Sequence, residues 1–397
     1  MKTILKSRLI AGSFGAAFLC AIGATAAERG FNFGNLNVSP YLKLEARYDT
    51  NVDSDNDEYK DTIFTVIPGL DLRYTGNDWG FDGAAFYAYD WYNKYDELDG
   101  DRWSERIRVW KEHNRFKLIF GEQFTRTRQA DSLLDTPDHG GLWRDRWYFN
   151  AYGIAKYQFS DKFSAQLDLT YSNIDYHNDE KSYYPLYGWE EWSVGLELAR
   201  KLTEKTNFLL RGGVQFYESD RTGDIRYNAD STAYSLQAGI GSRATERITY
   251  RALTGLSAFD FGNEDMKYGW IYTVDLNWII SRKLAFTAMG SSYFQPSEDR
   301  ANNADLVYTF SIGATYRPVK KVLLRADLAY RSHDEQYSNG YGTSFDYDNF
   351  SGRLRFDYFF MRHVSLYGSV QYDYRISDYE YYDYDRFLGL IGVMFRY

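Results

Sequence analysis

The chain has 397 residues, 19% of them aromatic, with 38 tyrosines, only 6 prolines and a formal net charge of −9. An acidic balance argues against nucleic acid as a partner, because binding phosphate needs a cationic surplus. The single cysteine, Cys20, lies in an N-terminal export-type segment, so the rest of the chain has no thiol for disulfides, thiolate catalysis or cysteine-ligated metals.

In that segment Lys2, Lys6 and Arg8 precede an apolar run from Leu9 to Ile22. Ala24-Thr25-Ala26, or Thr25-Ala26-Ala27 one residue later, fits the small-x-small cleavage rule. The run is short for a membrane helix and no stop-transfer segment follows. Residues 1–27 are therefore expected to be a signal peptide, and 28–397 one outer-membrane β-barrel domain. With no long apolar run after the signal, a membrane crossing must be made by alternating strands.

From there to the last residue one pattern repeats: segments of 12 to 16 residues alternate apolar and polar side chains. Between Val364 and Arg375, for example, Val364, Leu366, Gly368, Val370, Tyr372 and Tyr374 share one face, and Ser365, Tyr367, Ser369, Gln371, Asp373 and Arg375 the other. A period of two is a strand signal, and this length suits tilted strands that cross a bilayer better than the five or six residues usual in soluble sheets. The connections alternate strictly. Eight are short, such as Gly76-Asn77-Asp78, His113-Asn114, Ser160-Asp161 and Met361-Arg362; nine are long and acidic. This predicts an all-β, transmembrane, antiparallel up-and-down barrel of 18 strands, with short periplasmic turns and longer extracellular loops. A missed or spurious hairpin would give 20 or 16. A large soluble β-sandwich would also alternate, but would explain neither the strand length nor the alternation of turn and loop.

The last segment, Phe387-x-Gly389-x-Ile391-x-Val393-x-Phe395-x-Tyr397, is the closing strand. It is expected to pair with the first, near Pro40 to Tyr48, so that no edge is left in lipid. An apolar strand with a terminal aromatic is similar to the signal read by bacterial barrel-assembly machinery. Aromatics at strand ends, among them Tyr48, Tyr74, Trp91, Tyr157, Trp192, Trp270, Trp278 and Tyr316, are candidates for the two interfacial girdles.

One stretch also carries a family likeness. Arg47-Tyr48-Asp49-Thr50-Asn51-Val52 is followed, after an acidic loop, by Thr65-Val66-Ile67-Pro68-Gly69-Leu70-Asp71-Leu72-Arg73-Tyr74. The Y-D-x-N end of one strand (Tyr48, Asp49, Asn51) and the P-G-L of the next (Pro68, Gly69, Leu70) resemble outer-membrane β-barrel porins encoded with exopolysaccharide synthesis and secretion systems. The resemblance implies a channel that serves export or passage of a polysaccharide. Physically, a mid-strand Pro-Gly predicts a bulge or local kink, because proline cannot donate to the ladder.

Inward faces decide what a barrel does, and here they carry both signs of charge. Candidate residues along a solute path are Arg73, Arg106, Arg108, Arg211, Arg325, Arg353, Arg355 and Arg375, with Tyr152, Tyr217 and Tyr367. Two readings stand side by side: cross-strand pairing that stiffens the wall, or a basic path for an acidic sugar polymer, whose carboxylates guanidinium binds bidentately. The tyrosines are either stacking platforms for sugars or lumen packing. The apolar loop from Arg126 to Trp143 either folds inward or packs on the rim.

Asp53-x-Asp55-x-Asp57-Glu58 lacks the glycine and distal glutamate of a calcium loop, and reads as a solvated acidic loop with cation bridging to lipopolysaccharide. His113, His139, His177, His333 and His363 lie in or beside turns and loops, away from any serine nucleophile and acid, so neither an enzyme nor a metal or other cofactor is expected. The expected partners are outer-membrane lipid and lipopolysaccharide, the assembly machinery, and a polysaccharide substrate. The competing functions are a general or solute-uptake porin and a non-conducting structural or adhesive barrel. No outward patch in the sequence demands an oligomer.

Overall fold

The computed structural model describes residues 30–52, 59–127, 145–177, 188–219, 230–260, 266–296, 303–337, 346–378 and 383–397. The expectations for residues 1–27, 53–58 and 128–143 lie outside these. A short β1 (Phe31–Phe33) precedes β2 (Leu36–Asp49), β3 (Asp61–Thr75), β4 (Trp79–Tyr92), β5 (Gly100–His113) and β6 (Phe116–Thr127). Then come β7 (Asp145–Ser160), β8 (Phe163–His177), β9 (Trp189–Lys201), β10 (Thr206–Ser219), β11 (Ser231–Ser242) and β12 (Ile248–Asp260). The chain finishes with β13 (Lys267–Ile279), β14 (Leu284–Pro296), β15 (Asn303–Tyr316), β16 (Val322–Tyr337), β17 (Tyr347–Tyr358), β18 (Val364–Ser377) and β19 (Tyr384–Arg396).

From β2 onward each strand pairs antiparallel with the next, and β19 pairs with β2, Ile391 opposite Ala46. The 18 strands β2–β19 close a barrel, which excludes 16 and 20. Closure is what the bilayer demands, since every backbone donor and acceptor must be satisfied away from water.

The alternation sets the faces. Leu42, Leu44 and Tyr48 of β2 are exposed outward, while Lys43, Glu45 and Arg47 turn into the lumen. Around the outside, Trp91, Trp147, Trp192 and Trp270 are exposed toward the loop ends of their strands, and Trp79, Tyr157, Trp278 and Tyr316 toward the turn ends. These are the two girdles, where amphipathic rings sit at headgroup depth.

Three features depart from the sequence reading. First, β1 was not foreseen. It folds back on the start of β2, Phe31 opposite Val38, through a turn with Gly34 at φ 62°. Phe31 then stacks on the terminal Tyr397 at 5.2 Å. Second, Pro68 makes no bulge. The β3–β4 register is the same on both sides of it, Val66 opposite Tyr89 and Gly69 opposite Phe86, and the ladder merely skips Ile67 and Pro68. The β2–β3 ladder continues through Pro68 opposite Leu42 without a change of register. Third, the extracellular strand ends run further than the polar residues suggested. β16 continues to Tyr337, so His333 sits in a strand, opposite Val307 and Tyr347, rather than in a loop.

Candidate solute path

On one wall, β19 and β2–β5 bring together three of the predicted arginines, Arg73, Arg106 and Arg108. Asp82 lies opposite both Arg73 and Arg108, and it binds Arg108. Asp71 pairs with Arg396 at 3.0 Å, and Asp90 with Arg102 at 3.0 Å. Arg73 and Arg106 are exposed to the lumen, and among the described residues neither has an ion-pair partner. This stretch of wall therefore keeps uncompensated positive charge.

A second basic group lies on β16–β18. Arg325 and Arg355 are directly opposite each other. Arg355 binds Asp357 at 2.9 Å and covers the ring of Tyr367, 5.1 Å from its centroid. The Tyr367 hydroxyl donates to Glu45 at 2.6 Å, and Arg353 Nε donates to Gln371 at 2.6 Å.

The opposite wall is nearly neutral. Arg211 meets Asp168 at 3.2 Å, while Arg251 binds Glu197 and stands 3.8 Å from Asp275. These five charges tie β10 to β8, two strands away, β12 to β9, three strands away, and β12 to its neighbour β13, so they brace the inner face of this wall. The arginines thus differ in setting: Arg211 is ion-paired across the wall, whereas Arg73 and Arg106 are exposed.

The tyrosines are held by glycine. Tyr152 is opposite Gly121, Tyr367 opposite Gly392, and Tyr41 opposite Gly69. A Cβ built on these glycines would come within 2.4, 2.5 and 2.2 Å of the respective rings. Each ring therefore lies flat on its neighbour's bare backbone, and only glycine leaves room for it. Tyr367 and Tyr41 also carry cations over their rings, Arg355 on the first and Lys43 and Arg396 on the second. In the structure these rings pack against the barrel wall.

Toward the extracellular end the lumen wall is dense. Tyr217 packs with Ile174, Trp189 and Tyr148. Arg375 is buried between the rings of Tyr347 and Tyr384, with its Nε donating to Asn349. Both residues are taken up by packing.

The β14–β15 hairpin adds a constriction. Phe286 faces outward opposite Trp278, and Phe294 has the same parity. Yet Phe294 is only 2% exposed, and it packs with Phe259, Ala233 and Leu306. Phe259 and Ala233 are lumen-facing residues of β12 and β11. The hydrogen-bonded register between β13 and β14 ends at Thr273 opposite Ser291. Beyond it the hairpin leans over the inner faces of its neighbours, with Phe294 against Gly269. Alternation could not reveal this, because the parity of the strand is unchanged; only its path differs.

The motif at the end of β2 turns out to close the barrel. Asp49 accepts from Arg386 Nε at 3.0 Å across the β2–β19 seam, and both residues are buried. Thr50 exchanges backbone and side-chain hydrogen bonds with Phe387, and Asn51 Nδ2 donates to the Asp385 carbonyl at 3.2 Å. Tyr48 stands outside at the girdle, 46% exposed. Among the described residues no group of three or more histidines, cysteines and carboxylates is placed to hold a metal ion.

Residues 210–397 match the family model described as "Putative beta-barrel porin 2". No curated protein sequence gives a significant match. Among solved structures, the chain is similar to the outer membrane protein OpdK from Pseudomonas aeruginosa, with 11% identity, TM-score 0.47, and coverage of 91% of this chain and 99% of that one. It is also similar to the siderophore receptor PirA from Pseudomonas aeruginosa (9% identity, TM-score 0.45, 91% and 80% covered). A third likeness is to the ferric-catecholate import receptor Fiu from Escherichia coli K12 (9% identity, TM-score 0.42, 93% and 82% covered).

Proposed function

We propose that this porin-like barrel of the outer membrane is a passive channel for acidic carbohydrate, serving exopolysaccharide passage, and not an enzyme. The observation that carries the reading is the one-sided lumen: Arg73 and Arg106 lie open on the β2–β5 wall. An exposed guanidinium in a confined aqueous lumen attracts carboxylates and can grip them with two parallel hydrogen bonds. The carbohydrate and export parts are supported by the resemblance of Tyr48-Asp49-Thr50-Asn51 and Pro68-Gly69-Leu70 to porins of exopolysaccharide loci.

Planar-bilayer recording of the purified protein tests it. Under a salt gradient the reversal potential is expected to show anion preference, and Arg73→Glu with Arg106→Glu should move it toward cations. A folded barrel that carries no current, or one whose selectivity ignores both substitutions, would overturn the reading. Deleting the gene should reduce exopolysaccharide at the cell surface. A small-solute porin is the second reading, favoured by the β14–β15 constriction. It predicts that monomeric uronic acids pass while their oligomers only block.

A further inference from the structure

The periplasmic rim repeats an arrangement that a fold would ordinarily avoid. Lys117 of β6 is directly opposite Lys156 of β7. Below the ends of the other ladders the Lys201 amide donates to the Lys162 carbonyl at 2.8 Å, the Arg243 amide to Lys205 at 2.9 Å, and the Arg317 amide to Lys283 at 2.7 Å. Each of these bonds continues its ladder by one step, so these too are cross-strand cation pairs. Like charges placed directly opposite each other destabilise a sheet. Here the arrangement recurs at four seams.

Parity says which way the pairs point. Their neighbours Phe116, Tyr157, Phe163, Phe208 and Tyr316 are exposed on the outer face. The cations alternate with these, and so they fall on the lumen side of the rim. Of the eight, Lys117 alone has an ion-pair partner among the described residues, an exposed Glu112 at 3.4 Å. Lys205 and Lys283 point their Nζ atoms at the carbonyls of Ala244 and Pro318, which carry no charge. At the other end of the barrel the like-charged pair Asp49 and Asp61 is compensated within the fold. Asp49 binds Arg386, and Asp61 accepts from the amides of Thr62, Lys94 and Tyr95.

We infer that these cation pairs form an entry collar that captures a carboxylate-bearing polysaccharide at the periplasmic mouth and feeds it to Arg73 and Arg106. A linear polyanion supplies closely spaced charges that neutralise several pairs at once, and it releases counterions as it does so. Anionic lipid headgroups would be met by outward cations, and the collar faces away from lipid. This role rests on the acidic-carbohydrate reading above and adds the side from which the polymer enters.

Reversing one member of each pair (Lys156→Glu, Lys201→Glu, Arg243→Glu, Arg317→Glu) turns four like pairs into four opposite ones. The full-length variant should fold and resist heat at least as well as the parent. Its affinity for oligogalacturonate, measured by titration calorimetry in detergent, should fall by about tenfold or more, and neutral dextran should bind neither protein. Small-anion selectivity, set by Arg73 and Arg106, should persist. Unchanged oligogalacturonate affinity would overturn the collar. So would a variant altered only in its association with phosphatidylglycerol vesicles, which would make the rim a lipid contact. Collar-dependent binding in a barrel that passes no current would instead retain the collar and remove the channel reading.

Discussion

The seam and the glycine–tyrosine pairs show how much hangs on single side chains. Asp49 and Arg386 are buried together where the last strand meets the first. Removing one member of a buried pair leaves the other charged and unpaired, at about 3–5 kcal/mol. Asp49→Ala should therefore lower the temperature at which the barrel loses its compact migration in a detergent gel, whereas Thr62→Ala on the outer face should not. A Cβ at Gly121 would lie 2.4 Å from the Tyr152 ring. Gly121→Ala is expected to cost roughly 1–3 kcal/mol through overpacking. Tyr152→Ala in the same chain should recover part of that loss, and additive losses in denaturant midpoints would mean that the two residues are not coupled.

At the scale of the element, length and alternation were legible, and the path of a strand was not. Strands of 12 to 16 residues were read from the period-two pattern, and β2–β19 have those lengths. Pro68 marked a strand irregularity, but whether a proline bulges, kinks or interrupts a ladder depends on both neighbouring strands, and here they keep register. The lean of the β14–β15 hairpin was equally hidden, since it comes from Phe294 finding Phe259, Ala233 and Leu306. Phe294→Ala should release the hairpin from the lumen wall. Loss of a buried aromatic ring costs about 3–5 kcal/mol, and the expected readout is a larger single-channel conductance. A conductance equal to the parent's would show that the hairpin does not limit the pore.

At the scale of the whole molecule, a chain with net charge −9 carries its cations unevenly. They gather at the periplasmic rim and along the β2–β5 and β16–β18 walls, while the β8–β13 wall cancels its own. Exposed lumen charges act through water and are screened by salt. Anion selectivity should accordingly fade between about 0.1 M and 1 M salt, as the screening length drops from about 10 Å to about 3 Å. Selectivity that survives high salt would point to a tight buried contact at the constriction and away from Arg73 and Arg106.

The sequence by itself determined the barrel, its strand number and, outside the leaning β14–β15 hairpin, which side of its strand each residue takes. All of these follow from local rules: a period of two, a turn or loop at each end, and the need to pair every backbone group in lipid. Which lumen charges are cancelled and which stay open was decided only by the tertiary structure. A strand's own pattern says that Arg73 and Arg211 both point inward. Whether a carboxylate reaches them depends on the register of neighbouring strands and on the rotamer each side chain takes, and these are fixed only when the sheet closes. The same holds for the basic rim, whose members lie far apart in the chain and meet across four seams.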